Sequence, residues 1–208
     1  MKKRITFIFV ILFVSVTCCK FVFSQGNNTT WLMGYQSKVR MVFTDTTYNI
    51  SPEIRKIPFI DTQGNISDDN GNLLMSSNGY FIADATGDTM MNGSGINPGQ
   101  CTEDYGEGDG MFIPYGNLFL PMPGDTTKYV LFHQTCDYTN PPIIPKQIYY
   151  SIVDITLNGG LGGVISKNNI ASNGLYAGGI TACKHGNGRD WWIIALNDIG
   201  TVIYKYLL

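Results

Sequence analysis

Short apolar runs, broken every few residues by glycine-containing turns, constrain this chain more than any other feature. The clearest stretch is 66–91. Asp68-Asp69-Asn70-Gly71 is turn chemistry, because Asn-Gly takes the positive-φ positions of a tight hairpin with little steric penalty. Leu73–Ser77 then reads as a strand, Asn78-Gly79 turns, 80–83 returns, and Asp84-Ala85-Thr86-Gly87 turns again. This pattern predicts an antiparallel meander, with Asp69, Gly71, Asn78 and Gly79 as its structural turn residues.

Further strands are predicted at 39–43, 128–133, 147–154, 163–166, 179–184, 191–196 and 201–206. Residues 92–110 form a long Gly-rich, acidic excursion, and Pro141, Pro142 and Pro145 mark a loop. Charged residues are only 14% of the chain, whereas 24 glycines, 12 tyrosines and 11 phenylalanines favour strands and tight turns over long helices. The hydrophobic share of 44% is enough for a sizeable core. The net charge of −2, with no basic cluster after the N-terminus, argues against a nucleic-acid partner, which needs Lys and Arg to neutralise phosphates.

A degenerate repeat runs through the chain. Strand, turn and aromatic-rich strand recur near Leu73, Tyr129 and Trp191, roughly sixty residues apart. Asp-x-Gly-x before apolar residues occurs at Asp69-Asn70-Gly71-Asn72-Leu73 and at Asp198-Ile199-Gly200-Thr201-Val202. Repeated four-stranded antiparallel units mean an all-β β-propeller, with a β-sandwich as the alternative. Blades of roughly 40–50 residues allow three to four units here, and 204–208 is strongly apolar. The expectation is therefore an incomplete propeller, residues 25–208 forming the N-terminal part of a longer domain.

The N-terminus reads as a signal peptide, residues 1–24. Lys2, Lys3 and Arg4 precede the apolar run 5–16, and Ser24 is a small residue suited to cleavage before Gln25. An uncleaved anchor and a lipoprotein acylated at Cys18 or Cys19 are the alternatives. No later segment is long and apolar enough to span a membrane. Export implies an oxidising compartment, in which Cys101, Cys136 and Cys183 remain. Cys101–Cys136 is the first pairing to consider, and three unpaired thiols are the alternative.

Several motifs resemble a large group of uncharacterised exported, propeller-like proteins of gliding bacteria that use type IX secretion. They are the stretch from Asp68 to Gly79, Ile82-Ala83-Asp84, Met91-Asn92-Gly93 with Asn97-Pro98-Gly99, Tyr149-Tyr150-Ser151-Ile152-Val153-Asp154, and Lys184-His185-Gly186-Asn187-Gly188-Arg189-Asp190-Trp191-Trp192. The resemblance implies more blades and a C-terminal type IX sorting or gliding-motility-associated domain, neither of which this sequence contains. It also implies a secreted or outer-surface location, and it supplies no catalytic residues.

The candidate sites are few. Trp191 and Trp192 are neighbours in a strand, so one ring faces each side of its sheet. The motif from Gly186 to Trp192 reads as mainly architectural, with one ring in the core; the other ring, beside Arg189 and Asp190, either packs between blades or stacks on a sugar. As strand neighbours, Arg189 and Asp190 are expected to point apart. Ser67-x-Asp69-x-Gly71 loosely matches the Asp-box hairpin of sialidase-like propellers, a structural turn even there. Arg40, Arg55 and Arg189 number enough for a sialidase-type carboxylate clamp, but no Tyr/Glu nucleophile pair can be assigned. His133 and His185, with Cys136 and Cys183, lack zinc-ligand spacing. Glu103, Asp104, Glu107 and Asp109 are either a solvated acidic loop or oxygen ligands for Ca²⁺. The functional expectation is a non-enzymatic exported scaffold for a glycan or protein ligand, with no cofactor; a sialidase-like propeller glycosidase is the rival.

Export gives the first prediction. N-terminal sequencing of secreted protein should start near Gln25; material that starts at Met1 overturns the signal-peptide reading.

Overall fold

The computed structural model describes residues 29–105, 109–137, 144–174 and 176–208, so the expected signal segment lies outside the described residues. What is described is all-β, with one short helix. Four antiparallel meanders follow one another. The first comprises β1 (Thr30–Met33), β2 (Val39–Phe43) and β3 (Tyr48–Pro52). The second comprises β4 (Gly64–Ser67), β5 (Leu73–Ser77), β6 (Phe81–Asp84) and β7 (Thr89–Ser94). Helix α1 (Gln100–Tyr105) leads to the third: β8 (Asn117–Pro121), β9 (Lys128–Asp137), β10 (Ile144–Asp154) and β11 (Gly163–Asn173). The fourth comprises β12 (Tyr176–Lys184), β13 (Trp191–Asn197) and β14 (Ile203–Leu207).

A single parallel pair, Gly163 with Met91, joins the two middle meanders into one eight-stranded sheet. That sheet folds back until its outer strands nearly meet. A Cβ on Gly64 of β4 would lie 3.1 Å from the Asn117 Cβ of β8, and Asn117 Nδ2 donates to the Ser77 carbonyl at 3.1 Å.

Alternation along the strands explains the stacking. In β9, Tyr129 and Leu131 join Ile66, Met75 and Ile82 in a core between the second and third meanders. Val130 and Phe132, on the opposite face, join Ile148, Tyr176, Ile180 and Ile193 in a core between the third and fourth. Leu32, Ile57, Phe59 and Ala83 fill the gap between the first and second. A strand buried on both faces needs apolar side chains at every position, which is why Tyr129-Val130-Leu131-Phe132 shows no polar alternation.

Some elements depart from the sequence reading. Strands β1, β3 and β8 were not expected: Pro52 and Pro121 close β3 and β8, and prolines discourage a strand assignment. Strand β11 runs to Asn173 rather than stopping at Ser166. Part of the acidic excursion is α1.

Cys101 of α1 and Cys136 of β9 are joined in a disulfide, their Cα atoms 5.7 Å apart. Cys136 thus lies within a strand rather than beside one. The bridge sits in a buried cluster with Tyr80, Met111 and Ile113 and ties the helical connection to the third meander. It closes a loop of 35 residues, for which chain entropy gives roughly 3–4 kcal/mol of stabilisation. Denaturant unfolding of the Cys101→Ser/Cys136→Ser double variant should show a loss of that order; an unchanged midpoint would mean that the bridge contributes nothing.

Candidate functional site

In a meander, the turns from first to second strand all lie at one end. Here three of them converge, and local side-chain hydrogen bonds fix each one. In the β4–β5 turn, Asp68 Oδ1 accepts the N–H groups of Asn70 at 2.9 Å and Asn72 at 2.8 Å. Gly71 completes that turn at φ +82°. In the β8–β9 turn, Asp125 Oδ1 accepts the Thr127 N–H at 2.9 Å and hydroxyl at 2.8 Å. In the β12–β13 turn, Asn187 Oδ1 accepts the N–H groups of Arg189 and Asp190, both at 3.0 Å. With Ile155 from the end of β10, these turns border a groove of about 600 Å³.

Trp191, Arg189, Lys184, Asp69 and Tyr129 line this groove. Lys184 is the cross-strand partner of Trp191, and its ammonium sits 3.8 Å from the ring centroid, a cation–π contact. The indole also packs against the core between the third and fourth meanders. Arg189 grips Asp190 through two bonds, Nε to Oδ1 at 2.7 Å and Nη2 to Oδ2 at 3.1 Å. The expectation that strand alternation separates these two fails because both belong to the turn that precedes β13. Hydrogen bonds from Arg189 and then Asn187 hold the Asp190 carboxyl down at about 2. Lys128, 2.6 Å from Asp125, and then the Thr127 N–H and hydroxyl hold Asp125 at about 2 as well. Burial, followed by the charges of Asp69 and Asp68, raises the Tyr129 phenol, which stays neutral. The groove thus carries both signs of charge, and Asp68, Asp125, Lys184 and Arg189 each have a partner within the chain.

Trp192 faces away from the groove. Its ring meets His185 at 5.1 Å and the Lys205 ammonium at 4.3 Å. The sequence-predicted binding residues therefore divide: Trp191 and Arg189 line the groove, Asp190 holds Arg189, and Trp192 covers the opposite face of its sheet. Asp69 lines the groove too, while Asp68 rather than Asp69 supplies the capping carboxylate of its turn. Asn78 and Gly79 make the β5–β6 turn at the other end of the meander. There Asn78 Oδ1 accepts the Tyr80 N–H at 3.1 Å, and Gly79, at φ +92°, leaves room for Met111, whose Cβ would lie 2.6 Å from a Cβ added at that glycine.

The other candidates are not assembled. Arg40 pairs with Glu53 at 2.7 Å. Arg55 is buried and donates to the carbonyls of Ile57, Met33 and Gly34. With Arg189 on Asp190, the three arginines form no carboxylate clamp. His185 Nδ1 accepts the Asn187 N–H at 3.1 Å within the turn. Glu107 lies outside the described residues, and among those described no three His, Cys, Asp or Glu side chains gather as a metal site.

Sequence reasoning missed one constellation. His133 Nδ1 lies 2.6 Å from Asn97 Oδ1, and His133 Nε2 lies 2.9 Å from Ser151 Oγ. Asn97 Nδ2 donates to the Gly79 carbonyl, which leaves its oxygen facing the ring. Nδ1 therefore carries the proton, and Nε2 accepts from the serine. The order serine, histidine, amide is that of a nucleophile, a base and its orienter. All three residues are fully buried, however, and Ser151 Oγ also accepts the Asn168 N–H, so no substrate reaches the hydroxyl. The network is a polar clamp between the second and third meanders. His133, Ser151 and Asn97 stand far apart in a chain rich in Ser and Asn, so spacing carried no signal.

Comparison with protein-family models, with curated proteins and with solved structures gives no match. Among the described residues, no helix is long and apolar enough to cross a membrane.

Burial pulls the His133 pKa from its ordinary 6.5 down to about 3. The unfolded chain takes up this proton near pH 6.5, whereas the folded chain resists it to about pH 3. The stability from a neutral His133 is therefore complete above pH 6.5 and is lost progressively as pH falls through that window. The urea midpoint should decline steadily from pH 7 to pH 4. His133→Gln should be less stable at pH 7 and show a flatter pH profile; an equally steep profile in that variant overturns the assignment.

Proposed function

We propose that this protein is an exported, non-enzymatic β-propeller scaffold that holds a glycan or protein ligand in the turn-lined groove. The convergence of turns from three successive meanders, which places Trp191, Arg189 and Asp69 together, carries this reading. Loops presented by a rigid β framework are the usual place for recognition. The propeller reading is supported by the adjacency of the opening strands, β1 beside β4, β4 beside β8 and β8 beside β12, the order expected of blades around an axis. Export is supported by Lys2-Lys3-Arg4 ahead of the apolar run 5–16, and the Cys101–Cys136 bridge suits an oxidising compartment. The resemblance to exported proteins of gliding bacteria points to a secreted or outer-surface location. The scaffold is preferred over a glycosidase because Arg40, Arg55 and Arg189 are each engaged within the chain.

A panel of immobilised oligosaccharides tests this reading. Arg189→Ala and Asp69→Ala should each weaken binding to any responding glycan by about tenfold, the scale of one charge-assisted hydrogen bond. The melting temperature should hardly change, because both residues lie in surface turns. Binding that survives both substitutions removes the groove from the reading. Release of free sugar from a fluorogenic glycoside replaces the scaffold with a hydrolase.

A further inference from the structure

Asn-Gly occurs six times, at Asn70, Asn78, Asn92, Asn158, Asn173 and Asn187. In this dipeptide the asparagine side chain is open to attack by the following main-chain nitrogen, because glycine has no Cβ to obstruct the approach. Attack needs a side-chain amide that can swing and a following N–H that is not already donated. Five of the six pairs lack one or both. Gly71 N–H donates to the Asp68 carbonyl at 3.0 Å, and Gly79 N–H donates to Ser77 Oγ at 3.2 Å within a buried turn. Asn92 Nδ2 donates to the Val164 carbonyl at 2.8 Å, and its Oδ1 accepts from Lys167 at 3.0 Å. Asn173 Oδ1 accepts from Gln147 at 2.8 Å, while Gly174 N–H donates to the Lys146 carbonyl at 3.0 Å. Asn187 is bonded through both side-chain polar atoms, and Gly188 N–H donates to the His185 carbonyl at 2.9 Å.

Asn158 stands apart. It lies at the exposed tip between β10 and β11, and among the described residues neither its side-chain amide nor the Gly159 N–H has a hydrogen-bond partner. Only its main-chain carbonyl is engaged, by the Leu161 N–H at 3.3 Å. Asn158, Gly159 and Gly160 have φ values of +51°, +67° and +94°, and a Cβ built on either glycine would meet nothing within 4 Å. The peptide planes of such a tip are free to turn and bring the nitrogen against the side chain. We propose that Asn158 is a site of spontaneous covalent modification, converted to aspartate and isoaspartate through a cyclic imide with Gly159. The Gly159 nitrogen attacks Asn158 Cγ. The N–Cγ bond forms, the Cγ–Nδ2 bond breaks, and Nδ2 leaves as ammonia with the proton that the attacking nitrogen gave up. One water molecule from solvent then opens the ring. Cleavage of the N–Cγ bond gives aspartate. Cleavage between that nitrogen and the Asn158 main-chain carbonyl carbon gives isoaspartate, whose backbone runs through the former side chain. Asparagine and water thus become a carboxylate-bearing residue and ammonia, with no oxidant or reductant. Ile155, on the same connection, borders the groove, so the new negative charge arrives at that end of the fold.

Peptide mapping by mass spectrometry, on the full-length protein held at mildly alkaline pH, tests this site. The peptide carrying Asn158 should gain about 1 Da, the exchange of NH₂ for OH, and separate into two products of equal mass. The other five pairs should react at least about tenfold more slowly in the folded protein, the scale of one hydrogen bond that must first break. In urea with the disulfide reduced, all six should react at similar rates, because only the shared dipeptide then matters. Neither result depends on what the groove binds. An Asn158 that stays intact in the folded protein for as long as the unfolded chain takes to react overturns the proposal. So does another Asn-Gly pair that reacts as fast as Asn158 in the folded protein.

Discussion

A β-sheet that is apolar on both faces must be covered on both. That requirement governs this molecule. Strand β9 sends Tyr129 and Leu131 one way and Val130 and Phe132 the other, so the third meander lies between two cores. At about 25 cal/mol per Å² of apolar surface, no local turn preference competes with the burial of such residues. The groove follows from the same constraint. Its bordering turns come together because the sheets that carry them are stacked, and the short hydrogen bonds within each turn hold the shape in place.

Polar groups in the interior serve the connections between sheets. The segment from β7 to β8 is long and irregular, and its backbone needs partners that no ladder provides. Asn168 and Thr135 meet part of that need: Asn168 accepts the Asn97 N–H and donates to the Gly95 carbonyl, and the Thr135 hydroxyl donates to the Pro98 carbonyl. The Asn97 side chain in turn donates to the Gly79 carbonyl and accepts from His133, which reaches Ser151 on the next meander. Arg55 does similar work nearer the N-terminus, where its guanidinium brackets the Met33 and Gly34 carbonyls and lies 4.7 Å over the Phe59 ring. In both places a side chain often associated with chemistry is consumed by architecture.

Much of the fold was legible wherever turn chemistry and apolar runs coincide. Asn70-Gly71 and Asn78-Gly79 bracket β5, and the recurrence near Leu73, Tyr129 and Trp191 marks the second strand of three successive meanders. Strand β8 was hidden because Leu118-Phe119-Leu120 is a short apolar run closed by Pro121. The first meander was harder still, since β1 and β3 are brief and carry polar residues. The groove was half legible: Trp191 and Arg189 stood out, but nothing in the sequence says that a turn at 122–127 and another at 68–72 would face them. That knowledge belongs to the stacking, which depends on pairings between residues far apart in the chain. The Arg189–Asp190 pair shows a subtler limit. Strand alternation begins only at Trp191, and Arg189 and Asp190 are still turn.

Sheet-on-neighbour packing also shapes how the molecule comes apart. Each meander is local in sequence and packs most extensively on the ones before and after it, so stability is distributed over a row of local units. The two middle meanders carry a core on each face, the disulfide and the His133 clamp. Opening either of them exposes two cores at once, so within the described structure they are the costliest part to open. The amide protons of β5, β9 and β10 are accordingly expected among the slowest to exchange.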